Sequence, residues 1–462
     1  MSPMSNATNS MPASPVCSVP YATLVSVVAA LGGLLFGYDL VIISGANVFL
    51  REQFSLSDAG FGFTTVSATL GCIAGPLLGA WLCDLLGRKR TLMLAALLLG
   101  VNALFTALAR DIYTLNAFRL LGGIGVGLCS IGSPMYINEV APARIRGRLG
   151  VMYQLAIVVG CITAGLVAYV LARHLPETTS WRWMFGSQLF PVLFFLLLLL
   201  CIPPSPRWLA EKGQDGAALR VLQRVHGRES GLQEMETIRA SLSEETGTFS
   251  ELFRPKMRFA LWVGVCLAFF GSWTGWNAIG PYLPALFLKG GFPAKADAIF
   301  QFVIIYGFMG LVTVAAICLV DRLGRKPLWL SACLLMVGAL VLAGLSFHLN
   351  LKGSFALLAI FLVVIPHGLA FGPLPWLMMS EIFPTRIRAK AVAIATTVLW
   401  LGTFVGGFIF PVLMSAAERF FTSVGPAIGL FALVNLLAFI FGWKWLPETR
   451  GKTLEEIASS WN

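Results

Sequence analysis

Charge is what this sequence has least of. Asp, Glu, Lys and Arg make up 12% of the 462 residues, hydrophobic residues make up 57%, and the mean hydropathy is +0.80. A soluble domain carries roughly twice that charge, so a water-facing globule is excluded. Histidine is nearly absent: His174, His226, His348 and His367 are the whole set, and only His367 falls inside an apolar run. The nine cysteines show no metal-ligand spacing and sit mostly inside apolar runs, where they read as small apolar residues. No metal, no cofactor and no disulfide framework is expected. No nucleophile is spaced to meet a base, so the chain does not read as an enzyme. The first 20 residues lack the basic start of a signal peptide and read as a polar tail.

Long apolar runs take the place of the missing charge. Each is about 20 residues, enough to cross a bilayer as a helix. Twelve spans are predicted, over 21–49, 60–83, 91–109, 112–134, 148–172, 184–202, 259–288, 298–320, 327–347, 355–379, 391–416 and 424–445. The fold class is therefore an all-α membrane protein, and the lipid bilayer is its first partner. Of 33 Lys and Arg residues, 12 lie in four short loops: Arg88, Lys89, Arg90; Arg144, Arg146, Arg148; Arg322, Arg325, Lys326; Arg386, Arg388, Lys390. The loops on the other side share only eight. This bias predicts cytoplasmic termini in a plasma (inner) membrane. It also accounts for the net charge of +11 without nucleic acid.

The chain repeats itself. "DLLGRKR" (84–90) returns as "DRLGRKP" (321–327), and "NEVAPARIRGR" (138–148) returns as "SEIFPTRIRAK" (380–390). "PPSPRWLAEKG" (203–213) matches "LPETRGKTLEEI" (446–457) loosely at a similar offset. Two six-span halves of one topology follow, at 21–203 and 257–446. They are flanked by a disordered tail (1–20) and a C-terminal tail (447–462), and a charged linker (204–256) of short amphipathic helices joins them. Parallel halves related by an axis along the membrane normal are a transporter plan, with the substrate site between them near the midplane. At the basic loops, Asp84 with Arg88 and Arg90, Glu139 with Arg144 and Arg146, Asp321 with Arg325, and Glu381 with Arg386 form a candidate cytoplasmic gate. It would steady an outward-open state. Topology anchoring alone explains the basic residues, but not the acids at matched positions.

The stretches "GYDLVIISGA", "DLLGRKR", "RLLGGIGVGLCSIGSPMYINEVAPARIRGRL", "SPRWL", "DRLGRKP", "GPLPWLMMSEIFPTRIR" and "LPETRGKTLEE" occur in this order along nearly the whole chain. Together they resemble the sugar porter branch of the major facilitator superfamily. The resemblance implies twelve helices, an intracellular helical domain in the central loop, and uptake of sugars or related polyols.

Two charged side chains fall deep inside spans. Asp39 lies 12 residues inside Arg51, and Arg119 lies eight inside Asp111. At 1.5 Å per residue these depths are about 18 and about 12 Å, so the two meet if spans one and four are neighbours. Each alone at a helix centre would cost about 2.5–3.5 kcal/mol or more. A proton on Asp39 would break such a pair and free the halves to move. The alternative is a structural ion pair that fixes packing and moves nothing. Aligning "GYD" (37–39) with "GWN" (275–277) puts Asn277 at the equivalent place in the second half, which lacks both charges. In the family resembled, an acid at Asp39 goes with proton symport and an amide with facilitated passage.

A sugar site needs several hydrogen-bonding side chains and an aromatic face. The resemblance places Gln154, Asn277 and Trp376 there. Gln154 and Trp376 have plainer alternatives, as an interhelical hydrogen bond and a packing aromatic. Ser272 is a partial substitute, because two glutamines of the family pattern are replaced by Gly271 and Ser272. A third is replaced by Cys161, and other polar positions by Met309 and Leu399. His367 stands where the family has a cavity-facing aromatic; it could bond substrate or simply be satisfied by a carbonyl. One gate acid of the pattern is Pro204 here. Glycines at 120–127 predict close helix contact rather than a phosphate loop. The prolines of "IGPYLP" (279–284) and "FGPLP" (371–375) predict breaks in spans seven and ten. A proton-coupled importer of a sugar or polyol, acting as a monomer, is the first reading. A facilitative carrier of the same fold is the second. A membrane nutrient sensor is the third, and its lack of a long signalling tail counts against it.

Overall fold

The computed structural model of the chain describes residues 19–142, 145–243, 249–292, 294–351, 353–383 and 385–450. The expected polar tail lies almost wholly outside the described residues, as do most of the C-terminal tail and Arg144. The side chains of Arg146, Asp321 and Arg386 lie outside them too. Among the described residues there are helices and no strands. This is what a bilayer requires, because a helix satisfies its own backbone where no water can.

The first half comprises α1 (Val19–Gln53), α2 (Asp58–Leu86), α3 (Arg88–Leu108), α4 (Ile112–Val140), α5 (Arg146–His174) and a sixth span made of α6 (Glu177–Ser187) and α7 (Leu189–Cys201). Short polar residues mark the starts. Ser57 accepts the Gly60 N–H before α2, and Asp111 accepts the Thr114 N–H before α4. Within this half α1 packs on α4 and α5, and α2 and α3 pack on α4.

The linker carries α8 (Pro206–Glu211), α9 (Asp215–His226) and α10 (Arg228–Ser243), which share a small core of Leu209, Ala218, Leu222, Met235 and Ile238. His226 Nε2 lies 3.1 Å from the Val140 carbonyl, which docks α9 on the end of α4.

The second half begins with a broken span: α11 (Pro255–Ser272), α12 (Trp276–Ile279) and α13 (Leu283–Lys289), bent by 44°. The bend falls at Trp273–Gly275, and the break expected at the prolines is present too, as a 3-10 turn over Gly280–Tyr282. Gly275 has φ +106, a conformation that costs a residue with a Cβ dearly, so the chain turns there. Pro284 instead sits at the start of α13, where its missing N–H is no loss. Then come α14 (Lys295–Leu323), α15 (Arg325–His348), α16 (Ser354–Pro366), α17 (Pro373–Glu381), α18 (Thr385–Phe421) and α19 (Gly425–Trp445). Between α16 and α17, residues His367–Phe371 form a turn of π-helix, with Gly372 N donating to His367 O at 2.8 Å. Among the described residues eleven helices are long and apolar enough to cross a membrane, and the bent pair makes twelve.

The halves meet through α2 on α18 and α5 on α14. Hydrogen bonds between them cluster at the end remote from the basic loops. Asn47 Nδ2 donates to Pro281 O at 2.8 Å, and the Tyr282 hydroxyl reaches Gly62 O of the first half at 3.4 Å while bonding Gly407 O of its own half. Lys295 Nζ bridges Glu52 at 2.6 Å and Glu177 at 2.7 Å, both in the first half, above the Phe49 ring. This end is shut. An exposed ion pair contributes about 0.2–1 kcal/mol, and Lys295 makes two, so Lys295→Ala should raise the ratio of molecules open to shut at this end about two- to thirtyfold. Spin labels on the remote ends of α1 and α14 should then show more separated distances. An unchanged distribution would mean that this lysine does not hold the halves together.

Candidate functional site

Asp39 lies in the middle of α1 and is 0% exposed, and Arg119 on α4 is 1% exposed. The structure brings them together. Arg119 Nη1 is 3.1 Å from both Asp39 oxygens. The guanidinium carbon lies 5.5 Å from the Phe185 ring of α6, a cation–π contact on its other side. Arg119 Nε has no partner among the described residues. Desolvating two ions costs several kcal/mol each, and their attraction offsets this only when further hydrogen bonds complete the site.

Those further bonds come from α3. Asn102 Nδ2 donates to Asp39 Oδ1 at 3.0 Å, and the Thr106 hydroxyl donates to Asn102 Oδ1 at 3.1 Å. Sequence reasoning missed both residues. The only signal was two polar side chains four apart, hence on one helix face, in the apolar run "GVNALFTAL". The glycine run explains the fit. A Cβ on Gly122 would lie 2.4 Å from Asn102 Cγ, so only glycine leaves room for the amide.

The candidate substrate residues are less uniformly placed. Trp376 is 38% exposed on α17, and Gln154 is half-buried on α5. Asn277 is half-buried and reaches back over the bend to Ser272 O at 3.4 Å. His367 stands on the π-turn with its ring 5.5 Å from the Trp276 ring, next to Asn277 in sequence. Its Nδ1 is buried with no partner among the described residues, so the carbonyl offered as its plainer partner is not found at that nitrogen. Ser272 departs from expectation. It is 2% exposed, its hydroxyl donates to Phe269 O within its own helix, and Gly402 of α18 packs on its Oγ. The replaced glutamines have a packing explanation. A Cβ on Gly271 would lie 2.9 Å from the Pro375 ring, and Cys161 is 3% exposed beneath α1. An aromatic missed in the sequence is Trp400 of α18, packed on Phe36 of α1 with its Nε1 buried and without a partner among the described residues.

At the basic-loop end the two halves repeat one another. Arg88 pairs with Glu139 at 2.8 Å, Asp84 at 3.5 Å and Glu211 of the linker at 3.7 Å, while Arg325 pairs with Glu381 at 2.9 Å. Ser205 donates to Glu139 as Thr449 donates to Glu381. Arg90 is exposed and takes no part in these contacts. These bonds stay within one half or tie it to the linker. One element is not repeated. Glu448 accepts the N–H groups of Arg325 and Lys326, each at 3.0 Å, and so caps α15. Burial raises its carboxyl, and the N–H donors of Arg450, Arg325 and Lys326 with the Arg325 guanidinium outweigh this, holding it below the ordinary range. Its counterpart in the first half is Pro204, which offers no carboxylate to α3.

Two six-span halves, a bent span seven and a buried ion pair at mid-depth in one half define a secondary transporter of the major facilitator type. The profile of the family described as "Sugar (and other) transporter" matches residues 25–461, and the chain belongs to that family. It is 37% identical over 451 residues to the arabinose-proton symporter of Bacillus subtilis, covering 96% of each chain. It is 36% identical over 475 residues to the D-xylose-proton symporter of Escherichia coli K12, again covering 96% of each. Among solved structures it superposes on the inward open conformation of the xylose transporter XylE from E. coli with a TM-score of 0.84. The identity there is 33%, over 96% of this chain and 100% of that one. The chain is thus a multi-pass membrane protein of a transporter family rather than of an enzyme family.

Proposed function

We propose that this protein imports a monosaccharide or related polyol together with a proton, by alternating access of its two halves. The observation that carries this reading is the buried Asp39–Arg119 pair, which the second half does not repeat. The names of the two relatives above, both sugar-proton symporters, support it. In the proposed cycle a proton reaches Asp39 from outside and removes its charge, releasing Arg119. The remote end, taken as extracellular, opens and closes around the sugar. Gln154, Asn277, His367 and Trp376 form the proposed contact set. Trp376 supplies the stacking face, and the others supply hydrogen bonds. With Gly271, Cys161 and Leu399 apolar or packed away, the site offers few amides, which suits a substrate held by a small number of hydroxyl contacts. Both termini lie in the cytoplasm in this reading, and the monomer is the working unit. The Asp84–Arg88–Glu139 and Arg325–Glu381 clusters act as the inner gate with Arg144, Arg146, Asp321 and Arg386, and Arg90 anchors topology.

The test is a weakly buffered suspension of cells making the protein. Adding xylose or arabinose should turn the medium alkaline as proton and sugar enter together. The same sugars should raise the melting temperature of the purified protein but not of Trp376→Ala. Uptake without an alkaline shift would make the protein an uncoupled carrier. A thermal shift that survives Trp376→Ala would move the sugar site elsewhere.

A further inference from the structure

The reading of Asp39 as the coupling group leaves open what sets the ease with which it takes a proton. Among the described residues, the charged and titratable groups that face it are Arg119 from α4 and Cys72 from α2, and α3 adds the Asn102 amide. We propose that Asn102 is a positioning residue that holds Asp39 in its ionised form, and that Thr106 makes it do so.

The argument is one of donors and acceptors. An amide has one end that donates and one that accepts. The Thr106 hydroxyl occupies the accepting end, Oδ1, at 3.1 Å. This leaves Nδ2 facing Asp39 at 3.0 Å, and an amide nitrogen donates only. Arg119 Nη1, 3.1 Å away, also donates only. Ionised Asp39 therefore meets two donors, whereas a proton on Asp39 meets no acceptor from either residue. Hydrogen bonds to the charged form of an acid favour that form. Asn102 and Thr106 are both 0% exposed, so solvent does not supply the missing acceptor. Gly122 leaves the amide its place, and a Cβ there would overlap it. If the Thr106 anchor is lost, the amide is free to turn and present Oδ1, which accepts from a protonated carboxyl.

The test reads Asp39 directly. In purified protein, the infrared carbonyl band of the protonated carboxyl is followed against pH, and it is assigned by its absence in Asp39→Asn. Asn102→Ala should move the midpoint of this band up by about one pH unit, since a hydrogen bond to a charged group is of that order. Thr106→Val, nearly the same shape, should move it in the same direction. A merely structural role for Asn102 would lower the melting temperature and leave the midpoint in place. A midpoint unchanged or lowered in folded Asn102→Ala overturns the proposal. Should that variant fail to fold, an unmoved midpoint in Thr106→Val overturns it equally. The measurement needs no transport. If the midpoint moves while uptake proves uncoupled, the symport reading fails and this one stands.

Discussion

Asp39→Asn is expected to abolish uphill accumulation of sugar while sparing exchange of labelled sugar across the membrane. The amide has the shape of the carboxylate, and its oxygen still accepts from Arg119. What it lacks is a proton to gain or lose. A proton driven across 100 mV carries about 2.3 kcal/mol, equivalent to roughly fiftyfold accumulation, and that advantage should vanish. Counterflow of sugar in proteoliposomes should continue, because the halves can still rock with a neutral residue at position 39. The wild-type protein with the gradient collapsed by an ionophore should look like the variant. Accumulation that persists in Asp39→Asn would remove the coupling role from this residue.

The second large effect concerns Arg119. Arg119→Met should cost about 3–5 kcal/mol of stability, because it strands a carboxylate that is 0% exposed without its countercharge. Adding Asp39→Asn should restore most of the loss. The amide needs no cation, and Asn102 remains beside it. Thermal unfolding of both single variants and the double variant measures this, and the interaction energy is the departure from additivity. Equal melting temperatures for wild type and Arg119→Met, or a double variant no better than Arg119→Met, would mean that the two residues do not support one another. Neither variant should accumulate substrate.

The spans and the meeting of Asp39 with Arg119 could be read from the sequence for the same reason. Both depend on hydropathy and on a fixed rise per residue, which a one-dimensional pattern carries. Asn102 could not be read in this way. Its importance arises from which way one helix face points, and from Gly122 on another helix giving it room. Ser272 looked like a replacement for a lost amide, but a serine in a helix can bond back to its own carbonyls, and this one does, to Phe269. The prolines predict a break in span seven because proline breaks helices, and the α-helix does give way there to a 3-10 turn over Gly280–Tyr282. The 44° bend lies earlier, at Gly275, where no proline marks it. The gap at Pro204 was visible, but its meaning was not, because only the structure shows that the matching acid, Glu448, caps a helix.

The depth of Asp39 carries a further consequence. The residue lies 12 positions before Arg51 in one unbroken helix, about 18 Å down into a hydrocarbon layer of about 30 Å. In the proposed orientation, with the Arg51 end of this helix outside, a proton reaching Asp39 from outside has therefore crossed somewhat more than half of the membrane's electric field. A voltage of 100 mV then weights its arrival by about 1.4 kcal/mol, close to a tenfold enrichment. In the proposed symport cycle the carboxylate is the floor of a proton well, and polarising the membrane acts on it much as acidifying the medium by about one pH unit would.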